Sequence, residues 1–283
     1  MGKQKLKHNP QQYPDPFIIP PKSETHRHSF VVLHGRGDTG EDFGTELVAT
    51  KIPGFGSLQE TFPHGKWIFP TASKRRARVL GSSSLHQWFD LKDIKKQTLN
   101  EDWQFEGLKE SFLHVEKVLR GEIGAVGAGN VVLWGLSQGM AMSMMILLLW
   151  CGSEFAAGVG MCGWMPLKAR MEREMAAGCE ERYSDKGDRS ICEATEASNF
   201  RKAVRYLRQE LEVLSEDEPA TALNIPLFIG HGTGDDKVPT ELGQHAGAHL
   251  RILGFEVEMR LYEGLNHWYS PDMLRDIVHF LQP

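Results

Sequence analysis

From Ser29 onward, short apolar runs alternate with stretches in which apolar residues recur every three or four positions. SFVVLH ending at His34, KWIFP around Ile68, NVVLW (130–134), FAAGVGMCG (155–163), IPLFIG (225–230) and EVEMRLY (256–262) predict strands. Phe105, Leu108, Phe112, Val115 and Leu119 predict an amphipathic helix over 101–120, and further helices are expected at 137–150, 242–253 and 271–281. Strands alternating with helices predict an α/β fold, with a mostly parallel sheet covered by helices on both faces. Residues 1–27 carry five prolines and little periodicity, so they read as an N-terminal arm ahead of a domain over 28–283. Residues 168–224 are charge-rich and helically patterned without a clear strand. They are either a surface insertion or a cap over a pocket at the strand ends.

Composition narrows the class. A chain of 283 residues with 41% hydrophobic and 24% charged residues is ordinary for one large globular domain. The net charge of −5 gives no electrostatic case for nucleic acid as a partner. Cys151, Cys162, Cys179 and Cys192 never approach CxxC spacing, which disfavours a zinc ribbon or a thioredoxin-type motif. The first residues are polar and basic with no following apolar segment, so no secretory signal is expected. Leu6 stands where a myristoylation signal starting at Gly2 wants Ser or Thr. The longest apolar run, 140–151, is too short to span a bilayer and reads as a buried helix in which Met140, Met142, Met144 and Met145 fill the core. A cytoplasmic protein with reduced thiols is expected.

Gly135-Leu136-Ser137-Gln138-Gly139 is a G-x-S-x-G placed where a strand gives way to a helix. That placement puts a serine on a tight exposed turn, and the close backbone approach there calls for glycine on both sides. A serine hydroxyl needs a base to remove its proton and a carboxylate to orient that base. His267 follows the last strand-like run, and Asp235 and Asp236 follow IPLFIG, so alcohol, acid and imidazole all fall just past strand C-termini. Both aspartates stay open as the acid. His34-Gly35-Arg36-Gly37-Asp38 follows the first strand, where a second oxyanion donor is needed. The backbone N–H groups of Arg36 and Gln138 are the expected donor pair.

HGRGDTG, QWFD (87–90), GLSQG, CGWMPL (162–167), HGTGDDKVP and GLNHW, in this order over 29–167 and 225–281, resemble the acyl-protein thioesterase branch of the phospholipase/carboxylesterase family of α/β-hydrolases. The resemblance implies Ser137 as nucleophile, His267 as base and Asp235 as acid, with Asp236 replacing the family's proline. It implies acyl esters or thioesters as substrates, including palmitoylated proteins and lysophospholipids, and no cofactor. Trp88 and Trp164 line the acyl pocket by that resemblance, or are buried structural tryptophans. Arg36 stands where the thioesterases usually carry an aliphatic residue, and the 168–224 insertion is longer than the family's segment. A general small-ester carboxylesterase is the alternative within enzymes. A non-catalytic binding protein on the same scaffold would normally lack one of the three residues.

Other patterns weigh less. GRGDTG imitates a dinucleotide-binding loop, but no strand leading into an acid follows it. His245 and His249 are spaced to share a helix face without a third metal ligand. Lys74-Arg75-Arg76-Ala77-Arg78 reads as a solvated basic loop or as a contact for an anionic headgroup or acidic partner.

Overall fold

The computed structural model describes residues 12–77, 83–183, 196–213 and 225–282. In chain order the elements are β1 (Phe17–Ile19), β2 (His28–Leu33), α1 (Gly40–Ala49), α2 (Leu58–Thr61), β3 (Gly65–Phe69), β4 (Lys74–Arg76) and β5 (Ser84–His86). There follow α3 (Asp102–Val126), β6 (Val131–Leu136), α4 (Gln138–Leu149), β7 (Ala157–Met161), α5 (Lys168–Tyr183) and α6 (Glu196–Glu210). The chain closes with β8 (Leu227–Gly232), α7 (Thr240–Ile252), β9 (Val257–Tyr262) and α8 (Pro271–Leu281).

Among the described residues the main sheet runs β1-β3-β2-β6-β7-β8-β9, all pairs parallel except β1 with β3. Alternation along the strands divides the core between two faces. Val31, Leu33, Val131, Leu133, Leu227 and Ile229 face the layer holding α3, α4, α6 and α7. Phe30, Val32, Val132, Trp134 and Phe228 face α1 and α8. This is the mostly parallel, doubly covered α/β sheet that the pattern predicts and the architecture that the family resemblance implies, and it brings the C-terminal ends of β2, β6, β8 and β9 to one edge.

The helices start where their sequences can cap them. The Thr39 hydroxyl accepts the Asp42 N–H at 3.1 Å to open α1, and the Ser270 hydroxyl accepts the Met273 N–H at 3.1 Å to open α8, whose first residue is Pro271. Helix α4 is apolar on every side and every residue of it is buried. The sheet covers only one side of such a helix, and the other must be covered by protein as well.

The described part of the 168–224 insertion supplies that cover. Phe200, Ala203, Val204, Leu207 and Leu211 form a buried stripe at helical spacing on and just after α6, which packs on α4 and α5. Arg170 anchors the start of α5 to α3 and the residue before it, donating to Glu101 Oε2 and to Asp102 Oδ1, each at 2.6 Å. Residues 184–195 and 214–224 of the expected insertion, and with them Cys192, lie outside the described residues, as do Gly2, Leu6 and Arg78.

The arm and the basic loop need correction. Phe17–Ile19 of the expected arm pairs antiparallel with β3, and prolines are tolerated around it because the strand is at the sheet edge. Lys74–Arg76 is a strand paired with Ser84–His86, not a loop, and Arg75 is ion-paired with Glu110. The pattern assigns no element between 40 and 64, where α1 and α2 stand. Gly44 interrupts the helical signal of α1 because a Cβ there would strike the Phe69 ring.

Candidate active site

The turn between β6 and α4 is built by sterics. Ser137 has φ 56°, outside the region a serine ordinarily adopts, and such strain costs about 1–3 kcal/mol. Its N–H donates to the Met161 carbonyl of the neighbouring strand at 2.7 Å, which holds the turn in place. A Cβ on Gly135 would collide with the backbone of Gly139 and Met140, and one on Gly139 would collide with the carbonyls of Leu33 and His34. The two glycines let the helix start directly against β2 and lift the hydroxyl to the sheet edge.

Three side chains meet there. His267 Nε2 lies 2.9 Å from Ser137 Oγ, and His267 Nδ1 lies 2.7 Å from Asp235 Oδ2. Asp235 sits in the loop after β8 with its side chain wholly buried, while His267, in the loop after β9, keeps some exposure. The Lys237 and Val238 N–H groups donate to Asp235 Oδ1 at 2.9 and 2.8 Å. That local turn points Oδ2 at the imidazole. Asp236 points to solvent and pairs with Lys237 at 3.4 Å, so of the two aspartates the fold brings Asp235 to His267.

A fourth side chain, not picked out from the sequence, completes the carboxylate's surroundings. His231, fully buried near the end of β8, places Nε2 3.1 Å from Asp235 Oδ2 and 3.0 Å from the Val238 carbonyl. Its one signal in the sequence was its place at the head of HGTGDD. Burial works to raise the Asp235 pKa, but hydrogen bonds from His231, His267 and the Val238 N–H outweigh it. The carboxyl is held well below the usual carboxylate range and stays ionised.

The first loop stands beside the serine. A Cβ on Gly35 would lie 3.6 Å from Ser137 Cβ. Among the described residues neither the Arg36 nor the Gln138 backbone N–H has a hydrogen-bond partner, and Gln138 opens α4, where the helix dipole favours negative charge. The loop is held by His34, whose Nδ1–H donates to the Gly35 carbonyl at 2.6 Å while Nε2 accepts the Ala72 N–H at 2.9 Å. Burial lowers the His34 pKa to about 4, against a partial rise from the Gly35 carbonyl, so the ring is neutral with a defined tautomer.

Gln138 and Trp88 tie the turn to the loop at 87–90. Gln138 Oε1 accepts the Trp88 N–H at 3.0 Å and Gln138 Nε2 donates to the Phe89 carbonyl at 2.8 Å. Trp88 is fully buried and its indole N–H donates to the His34 carbonyl at 2.9 Å, beneath the Arg36 loop. Trp164 is also buried, with its ring edge-on to Phe89. Neither tryptophan lines a nearby cavity of about 130 Å³, which is bordered by Met165, Leu167, Lys168, Leu242 and His245. A larger cavity of about 410 Å³ opens at the opposite, N-terminal edge of the sheet, between Phe30, Val132, Pro226 and Phe280.

His249 does not join His245 at that cavity's rim: it is buried, 3.6 Å from Glu172. Among the described residues no group of three or more His, Cys, Asp or Glu side chains is placed to hold a metal ion. Nor is any described helix long and apolar enough to cross a membrane.

The chain is similar to known proteins in sequence and in fold. A sequence profile of the phospholipase/carboxylesterase family matches residues 14–181 and 210–283, so the match takes in β1 and the start of the insertion. Acyl-protein thioesterase 1 of Cryptococcus neoformans is 24% identical over 277 residues, covering 93% of this chain and 94% of that protein. A probable carboxylesterase SOBER1-like of Arabidopsis thaliana is 23% identical, covering 88% of this chain and 76% of that protein. The crystal structure of Zea mays acyl-protein thioesterase 2 superposes with a TM-score of 0.66 at 24% identity, covering 95% of this chain and 98% of that one. With the fold and the profile in agreement over most of its length, the chain belongs to the phospholipase/carboxylesterase family of α/β-hydrolases.

Proposed function

We propose that this chain is a serine hydrolase that cleaves carboxylic esters or thioesters through an acyl-enzyme, in the manner of the acyl-protein thioesterases and carboxylesterases it resembles. The observation that carries the reading is the hydrogen-bonded line from Ser137 Oγ through His267 to Asp235, with steps of 2.9 and 2.7 Å. Ser137 Oγ attacks the acyl carbonyl carbon as His267 Nε2 takes the hydroxyl proton. Asp235 holds the Nδ1–H tautomer and stabilises the imidazolium that forms. The Arg36 and Gln138 N–H groups receive the oxyanion, and a donor of this kind is worth about 10²–10³ in rate in studied hydrolases. His267 then returns the proton to the leaving alcohol or thiol, and a water deprotonated by the same ring releases the acid.

Palmitoylated proteins and lysophospholipids are the substrate classes nearest to its relatives, and the cytoplasm is the compartment that suits them. A small-ester carboxylesterase is the second reading, favoured by Arg36, a charged residue at the donor loop. Stopped-flow hydrolysis of 4-nitrophenyl butyrate tests the reaction type. A burst of one nitrophenolate per chain is expected, and the absence of any turnover opposes it. The ratio of kcat/KM for octanoyl and palmitoyl thioesters to that for short oxygen esters decides between the two substrate readings.

A further inference from the structure

We infer that Arg36 and Gln87 form an anion subsite beside the reacting carbonyl, so that the favoured substrates carry a carboxylate or phosphate group near the scissile bond. The inference rests on the reading of Ser137 as the nucleophile. Arg36 is the residue after Gly35, which abuts Ser137, and its own backbone N–H is one of the two unpartnered donors there. Arg36 is exposed, yet its Nε donates to the Oε1 of the fully buried Gln87 at 2.9 Å. Gln87 in turn precedes Trp88, whose N–H is bound by Gln138. The guanidinium is therefore tied to the 87–90 loop, which also holds the Gln138 side chain.

The tether leaves donors over. With Oε1 committed to Arg36, the Gln87 carboxamide presents Nε2, which is buried and has no hydrogen-bond partner among the described residues. A buried N–H without an acceptor is costly, and native structures rarely keep one without a ligand, ion or water to receive it. The buried Gln87 fixes the direction of the guanidinium, whose remaining N–H groups fit carboxylate or phosphate oxygens.

The charge balance agrees. Arg36 stays open to solvent, and the nearby Asp90 carboxylate works against the partial desolvation that lowers its pKa. The other carboxylate close in sequence, Asp38, is engaged by the Thr39 N–H at 2.8 Å and faces Asp42 and Glu46. The Gly37 N–H donates to the His86 carbonyl at 2.7 Å, and His86 pairs across the small hairpin with Lys74, which sets a basic strand beside the loop.

Two matched substrate pairs test the inference and separate the sources of the anion. Mono-4-nitrophenyl glutarate against 4-nitrophenyl valerate exchanges a terminal methyl for a carboxylate on the acyl side. Butyrylglycerol 3-phosphate against butyrylglycerol adds a phosphate on the alcohol side. For wild type, kcat/KM is expected to favour the anionic member of at least one pair by about tenfold or more, the scale of one charge-assisted hydrogen bond. That preference should shrink in 0.5 M NaCl, be lost in R36Q and be partly kept in R36K. Wild type showing no anionic preference in either pair, or R36Q keeping it, overturns the subsite. Ser137→Ala is run on the same substrates: turnover that survives it overturns the nucleophile reading, whereas an inactive S137A with an unchanged R36Q ratio overturns the subsite alone.

Discussion

His231 shares an oxygen of Asp235 with the imidazole that faces the serine: its Nε2 lies 3.1 Å from Asp235 Oδ2, which also accepts from His267. Because His231 is fully buried and its Nε2 lies against Asp235 Oδ2 and the Val238 carbonyl, it acts through the carboxylate as a positioning residue. A hydrogen bond to an ionised group contributes about 1.5–3 kcal/mol, so H231A should lower kcat about tenfold or more while KM changes little. H231Q, which keeps an N–H donor, should recover part of the loss. Steady-state kinetics on 4-nitrophenyl butyrate check this, and equal kcat in H231A and wild type would remove the role.

The two neighbouring aspartates make a second prediction. Asp235→Asn keeps the shape of the loop but favours the wrong imidazole tautomer, and a fall in kcat of about 10⁴ is expected by analogy with studied triads. Asp236→Asn removes only an exposed partner of Lys237 and should stay within several-fold of wild type. The reverse pattern would show that the carboxylate facing His267 in solution is the other one.

Much of this was legible in the sequence, for identifiable reasons. The central strands β2, β6 and β8 are buried on both faces, so their apolar runs stand out, and Gly135 and Gly139 announce the turn because no other residue fits there. Three things were hidden from pattern and spacing alone. Phe17–Ile19 is too short and too closely flanked by prolines to read as a strand, and it becomes one only by borrowing the edge of β3. The role of α6 follows from the need to cover the outer side of α4, which is a tertiary demand. Spacing leaves Asp235 and Asp236 both open and the family resemblance chooses Asp235; the physical choice depends on which carboxylate the Lys237 and Val238 N–H groups capture, a matter of loop geometry.

Stability should fall on mild acidification. His34 and His249 are buried with pKa values lowered from 6.5 to about 4, in both cases chiefly by burial. Between pH 6.5 and 4 the unfolded chain takes up protons at these positions that the folded chain refuses, so stability rises with pH across that window and levels off above it. The slope is at most about 1.4 kcal/mol per pH unit for each ring. The depressed carboxyl of Asp235 adds its own loss only as pH falls through and below its ordinary value of 3.8. Urea midpoints at pH 7.5, 6.0 and 5.0 should decline in that order, and a constant midpoint would contradict the neutral, buried state of these rings.

The central claim is that one alcohol in this chain forms the covalent intermediate. Intact-mass spectrometry after treatment with a fluorophosphonate tests it most directly. Wild type should gain one phosphonyl adduct, mapped by peptide sequencing to Ser137, and S137A should gain none under the same conditions. An adduct of equal yield on S137A, or one mapped to another residue of the wild type, would contradict the account.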